Sequence, residues 1–239
     1  MIQAWPELVR AVAARYPGRV DRGFVSGKLR HDPIYAALGA EPDLSAARSV
    51  VDLGCGRGIL LALLAEQARR SGATVELRGI EARASHAAVA RHALGEDARI
   101  ETADLRTAEV PTADAVLLID VLHYLPQETH AGLLGRIARA LTPSGVLFVR
   151  EIDRDAGVRA WLARAAEHAM SALRGEPARV FAFRGAGEWG RDLAAAGFGV
   201  EERPIGEGTP FANVLLVGYR EARNSRTRDR SSRATSSNV

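Results

Sequence analysis

Cysteine and lysine are almost absent: Cys55 is the single thiol and Lys28 the single lysine. One thiol excludes an intramolecular disulfide framework and a multi-cysteine metal site. Set between Gly54 and Gly56, Cys55 reads as a small residue. The lone lysine follows no glycine loop, so a Gly-Lys-Ser/Thr phosphate loop is excluded too. There is no run of about 20 apolar residues to span a bilayer. The N-terminus "MIQAWPELVRAVAARYPGR" mixes apolar and charged residues and lacks a signal peptide's continuous apolar core. The expectation is a cytoplasmic chain. Repeats at solenoid spacing are absent, and His31, His86, His92, His130 and His168 show no clustered ligand spacing, so no metal is expected.

The net charge is +3 and the pI near 9.5. Residues 221–239, "EARNSRTRDRSSRATSSNV", hold five arginines against two acids and account for that whole excess. This basic, apolar-poor tail reads as disordered. The remainder balances to zero and offers no basic face for a polynucleotide, so a nucleic-acid partner is not expected. At 25.6 kDa and 47% hydrophobic residues, one substantial domain is expected over residues 46–220. Residues 1–45 read as helices outside it, a lid segment.

What is present begins with "SVVDLGCGRGILLALLAEQARR", Ser49 to Arg70. Ser49–Leu53 is short and β-branched and ends in glycine, as a buried strand does. Leu60, Leu61, Leu63, Leu64 and Ala68 then recur at helical spacing. Strand, glycine turn and helix N-terminus in succession lie at the carboxyl edge of a parallel sheet, where ligands bind.

Alternation continues with strands "TVELRGIE", "ARIETAD" and "ADAVLLID", helices "RASHAAVARHAL" and "QETHAGLLGRIARAL", a turn "TPSG" and a fifth strand "VLFVREI". An alanine-rich helix at 158–173, a helix at 188–196 and the strands "FGVEERPI" and "FANVLLVGY" follow. The prediction is an α/β, Rossmann-like, doubly wound and mostly parallel seven-stranded sheet, with helices on both faces and an antiparallel last strand.

A dinucleotide fold wants a small third residue in its glycine motif; here Ile59 stands there, which disfavours a nicotinamide cofactor. Asp52, Glu81, Asp104 and Asp120 fall at or beside the carboxyl ends of strands one to four. Four carboxylates suit a ligand with an ammonium, a ribose diol and a sulfonium. "VVDLGCGRG", with "GIEA", "TADLR", "LIDVLHYLP" and "LTPSGVLFVRE" in order, resembles the class I S-adenosylmethionine-dependent methyltransferases over residues 49–152. The resemblance implies that S-adenosyl-L-methionine is the cofactor. It gives Asp52, Gly54, Cys55, Gly56 and Gly58 to the methionine end, Glu81 and Ala82 to the ribose, Asp104 and Leu105 to the adenine, and Asp120, Val121 and Leu122 to the methyl-transfer side.

"GFVSGKLRHDPIYAAL" and "EGTPFANVLLVGY" resemble methyltransferase-like proteins of aryl polyene and related polyketide pathways. That implies a small aromatic or polyketide-derived acceptor, free or attached to a carrier protein. Phe24, Lys28, Arg30 and Asp32 precede the sheet as a candidate lid. Tyr124, Arg150 and Glu151, at strand ends, are further candidates for substrate contact, and His123, three residues past Asp120, is the candidate general base. Two alternatives stand: a non-catalytic S-adenosylmethionine-binding partner of a biosynthetic complex, and an N-methyltransferase on an amine or nucleic acid, although "IDVLHYLP" lacks the Pro-Pro-aromatic motif of the latter.

Overall fold

The computed structural model describes residues 4–155, 184–205 and 213–220. The expected alanine-rich helix at 158–173 and the basic tail lie outside these. Seven strands, β1 (Ser49–Leu53), β2 (Glu76–Glu81), β3 (Ala98–Thr102), β4 (Ala113–Ile119), β5 (Leu141–Ile152), β6 (Phe198–Ile205) and β7 (Asn213–Arg220), form one sheet in the order 3-2-1-4-5-7-6. Strands β1 to β5 pair in parallel, and β7 enters antiparallel between β5 and β6. The sheet is the doubly wound, mostly parallel one read from the alternation. One detail differs: "TPSG" is no free turn. Ala113 pairs with Leu141 and Ala115 with Val146, so Thr142–Gly145 bulge within β5 opposite Asp114, which accepts a hydrogen bond from the Thr142 hydroxyl at 3.0 Å.

Alternation along the strands divides the core into two layers. Val50, Leu77, Leu117, Val146, Phe148 and Leu215 face α1 (Ala4–Ala14), α2 (Gly18–His31), α3 (Pro33–Gly39), α4 (Pro42–Ala46) and α5 (Ile59–Ser71). Val51, Leu53, Leu118, Leu147, Val149 and Leu216 face α7 (Gln127–Ala140) and α8 (Ala186–Ala195). Helix α6 (Ala84–Leu94) packs on β3 and on α5. The N-terminal helices bury Val9, Val12, Val25, Leu29, Ile34 and Leu38 in the same cluster as α5. They are part of the first layer, not a cover standing apart from it.

Parity matters at the end of β5. Arg150 continues the Phe148 side, toward the N-terminal helices, and Glu151 the Val149 side, toward α7. Both are buried.

Candidate active site

At the carboxyl ends of β1 to β4 lies a crevice of about 890 Å³. Gly54, Glu81, Ala82, Asp104, Leu105, Asp120, Val121 and Tyr124, all singled out by sequence, line it together with Arg83, His86, Arg106 and Leu125–Glu128. Of the latter set Arg106, Leu125 and Pro126 lie within the stretches "TADLR" and "LIDVLHYLP", whereas Arg83, His86, Gln127 and Glu128 carry no motif of their own. Phe24, Lys28 and Arg30 do not line the crevice. Phe24 is exposed, with the Arg57 guanidinium 4.7 Å from its ring centre, and the Lys28 ammonium lies 3.3 Å from Asp32.

The three glycines of the loop have separate tasks. Gly54, Gly56 and Gly58 all have positive φ, a region costly for residues with a side chain. A Cβ at Gly54 would sit 2.6 Å from Val121 Cγ2, and one at Gly58 would sit 2.9 Å from Leu94 Cδ1. A Cβ at Gly56 would meet nothing within 4 Å. Gly58 therefore serves the packing of α5 on α6 rather than the crevice. The Cys55 sulfur packs inward on Gly79, where an added Cβ would lie 2.7 Å away, and burial, then the Asp52 charge, pushes the thiol pKa up. It is an inert core residue.

Glu81 closes the loop from below. Its carboxylate accepts from the Gly56 amide at 2.9 Å and the Arg83 amide at 2.8 Å. Asp52 is buried on the β1 face toward the N-terminal helices, and no hydrogen-bond donor among the described residues reaches its carboxylate. Burial, then the neighbouring Glu81 charge, pushes its pKa up to about 7. Asp104 is more exposed; Arg106, bonded to it at 2.8 Å, holds its carboxyl below the usual range.

Asp120 is in the left-handed region, φ 56°, and is clamped by Arg150. Leu122–Tyr124 form a single 3₁₀ turn, so Leu122 and His123 are buried instead of lying on an open loop. Glu151 accepts from the Val121 amide at 3.0 Å, the Leu122 amide at 2.6 Å and His123 Nδ1 at 2.6 Å. His130 on α7 bonds through Nε2 to the Leu122 and Leu125 carbonyls and pins the turn from the other side. Arg150 and Glu151, expected to meet substrate, are 3% and 0% exposed. They act on the crevice wall through its backbone and side chains, and do not line it. Tyr124 does, and its ring centre lies 4.1 Å from that of His123.

Among solved structures the chain is similar to an O-methyltransferase family protein from Burkholderia thailandensis, at 22% identity and TM-score 0.63, covering 92% of this chain and 68% of that one. It is similar to CalO1, a methyltransferase in calicheamicin biosynthesis in its SAH-bound form, at 23% identity and TM-score 0.59, covering 83% of this chain and 56% of that one. The [4+2]-cyclase SpnF shares 16% identity at TM-score 0.60, covering 79% and 81% of the two chains. The chain thus spans between about half and two thirds of the length of the two methyltransferases. Comparison with curated sequences gives no match. The family model described as a methyltransferase domain matches residues 23–203. With the sheet order, the glycine loop and the acids at the strand ends, that match makes the chain a member of the methyltransferase-domain family, enzymes whose cofactor is S-adenosylmethionine.

Proposed function

We propose that this methyltransferase acts on a small aromatic or polyketide-derived acceptor, and that the glycine loop and the acids at the strand ends hold its cofactor. Asp52 carries the reading: a buried carboxylate near Glu81, with no donor among the described residues, at the end of the strand that leads into a glycine loop with open space at Gly56. Such a group calls for a cation. When bound, S-adenosylmethionine supplies an electrophilic methyl group on a sulfonium. The chain's own residues then have three tasks: Asp52 faces the ammonium, Glu81 accepts from the ribose hydroxyls with its remaining lone pairs, and Leu105, Val121, Tyr124 and Leu125 give the crevice apolar walls that suit a flat ring and exclude water.

His123 is proposed as the base. The Glu151 carboxylate is an acceptor on both oxygens, so Nδ1 carries the hydrogen and the ring's basic lone pair lies on Nε2. Similarity in fold to CalO1, a methyltransferase in calicheamicin biosynthesis, and to the pyocyanin biosynthetic protein PhzM supports a small acceptor. The two N- and C-terminal stretches that resemble aryl polyene-pathway proteins narrow it further. The deciding experiment is mass spectrometry of extracts with and without the protein, seeking one metabolite heavier by about 14 daltons, the mass of an added CH2. If no metabolite gains that mass while S-adenosylmethionine still binds, the second reading stands: a cofactor-binding partner without transfer. His123 at 1% exposure favours it, and SpnF shows that this fold hosts other chemistry.

Two results follow for binding. Glu81→Ala should weaken S-adenosylhomocysteine by about 10- to 100-fold in calorimetry, the size of charged hydrogen bonds together with the loosened Gly56 amide. Equal affinity would remove Glu81 from the site. Asp52 imposes a pH dependence. Its pKa is above the ordinary carboxylate value in the folded state, so folding binds a proton and the apo protein loses stability as pH rises from about 4 to about 7. A bound ammonium favours the carboxylate, so affinity should rise with pH up to about 7 and level off above it. At pH 6, calorimetry in buffers of different ionisation heat should show up to one proton released. Asp52→Asn should release none and stabilise the apo protein at pH 8 by about 1–4 kcal/mol.

A further inference from the structure

The buried guanidinium of Arg150 bridges two carboxylates from distant parts of the chain. Its Nε bonds Asp120 Oδ1 at 2.8 Å, its Nη2 bonds Asp120 Oδ2 and, at 3.1 Å, Asp32 Oδ2, and its Nη1 bonds Asp32 Oδ1. The Arg150 carbonyl also accepts from the Asp120 amide at 2.9 Å. Asp32 is the corner between α2 and α3: it follows the last residue of α2 and caps α3 by accepting from the Ile34 amide at 3.3 Å. Asp120 holds a left-handed conformation that costs about 1 kcal/mol or more for a residue with a side chain and persists only where its surroundings impose it. Arg150 imposes it at both the backbone and the carboxylate. The next residue, Val121, is the one against which Gly54 has no room for a Cβ. Asp32, Arg150, Asp120, Val121 and Gly54 are therefore a continuous series of contacts from the N-terminal helices to the loop under the crevice.

We infer that Arg150 is a positioning residue for cofactor binding: it ties the α2–α3 corner to the Asp120 kink, so that docking of the N-terminal helices and the shape of the crevice wall are set together. The inference rests on the cofactor site proposed above. A buried ion pair is weak evidence for stability, since packed apolar residues of the same volume serve as well or better. Here the polar bridge does what they cannot, holding two carboxylates and one unfavourable φ in register. Burial alone would lower the Arg150 pKa; Asp120 and then Asp32 outweigh it and raise it, so the cation is permanent. Tyr35, three residues beyond Asp32, belongs to the same corner. Its ring is half-buried against the apolar layer that holds the N-terminal helices, and burial raises its phenol pKa. With its charge satisfied by Arg150, Asp120 serves as wall and not as base.

Arg150 replaced by an apolar residue would leave two partly exposed carboxylates facing each other with no cation between them and put the fold itself at risk, so the informative variant is Asp32→Asn. Asparagine caps α3 as well as aspartate does. Asp32→Asn should fold, with Tm lowered by no more than about 5 °C, while S-adenosylhomocysteine binds about 10-fold more weakly. Hydrogen exchange gives a readout that stability alone does not move: in the wild type S-adenosylhomocysteine should slow exchange across residues 18–39, and in Asp32→Asn it should not. Asp120→Asn should weaken binding too, and the double variant should lose no more than the worse single one, because both act through one guanidinium. Arg150→Lys, which keeps the charge without the two-sided fork, should match Asp32→Asn. Wild-type affinity and protection in Asp32→Asn, additive losses in the double variant, or wild-type behaviour of Arg150→Lys would each overturn the inference alone. A wild-type protein that binds no S-adenosylhomocysteine would overturn the cofactor reading and the inference with it.

Discussion

His123→Ala is expected to lower turnover by about 100- to 10,000-fold while leaving affinity for S-adenosylhomocysteine within about twofold. The imidazole does not line the crevice; it lies behind Tyr124, held by Glu151. What separates a base from a filler is the acceptor's acidity. A base becomes redundant once the acceptor has lost its proton, so the penalty should shrink with rising pH and with more acidic acceptors. Glu151→Gln sharpens the test. The amide oxygen can still accept from Val121 and Leu122, but its NH2 would face Nδ1 and force the hydrogen onto Nε2. That variant should fold, bind cofactor and fail in turnover much as His123→Ala does. A penalty independent of pH and of acceptor acidity would leave positioning and desolvation as the whole account of catalysis.

Gly56→Val is expected to abolish cofactor binding, a loss of more than about 100-fold, in a protein that still folds. At φ 56° a β-branched residue is strained by about 1–2 kcal/mol, too little to unfold most domains. Its side chain would project into the open space that the other two glycines lack. Gly54→Ala and Gly58→Ala should show the reverse balance, with lowered Tm in the absence of any ligand, because their added carbons meet Val121 and Leu94. Thermal shift with and without S-adenosylhomocysteine separates the two behaviours. Unchanged binding by a folded Gly56→Val would remove the loop from the cofactor site.

The strands were legible as short β-branched or alternating runs, most continuous in β1 and β4, and β1, β3, β4 and β6 begin where the pattern puts them. The four acids were legible because parallel strands deliver their last residues to one edge. What the sequence did not disclose is which way each side chain turns there. Arg150 and Glu151 read alike as exposed polar ends, yet each lies in the core, on opposite faces, satisfied by partners far along the chain: Asp32, 118 residues back, and the 3₁₀ turn about 30 residues back. Asp32 itself reads as one of several charges before the sheet; nothing local separates it from Lys28 and Arg30, which stay outside the crevice. The burial of His123 was hidden for the same reason. A one-turn helix of Leu-His-Tyr has no periodicity to betray it.

The late antiparallel strand has a consequence for how the protein is made. Among the described residues, those that line the crevice all lie at or before Glu128, and both clamps are complete by Glu151, yet β5 receives its outer neighbour only when residues 213–220 emerge. Until then a nascent chain presents Val146 to Ile152 as a long, apolar, unpaired margin, the feature that invites another chain to add itself. A fragment ending after β5 would hold every described lining residue of the crevice and still be prone to self-association. Strand β7 covers that margin and pairs Leu215 and Val214 with Arg150 and Glu151, so the last strand to be made also seals the two residues that shape the crevice wall.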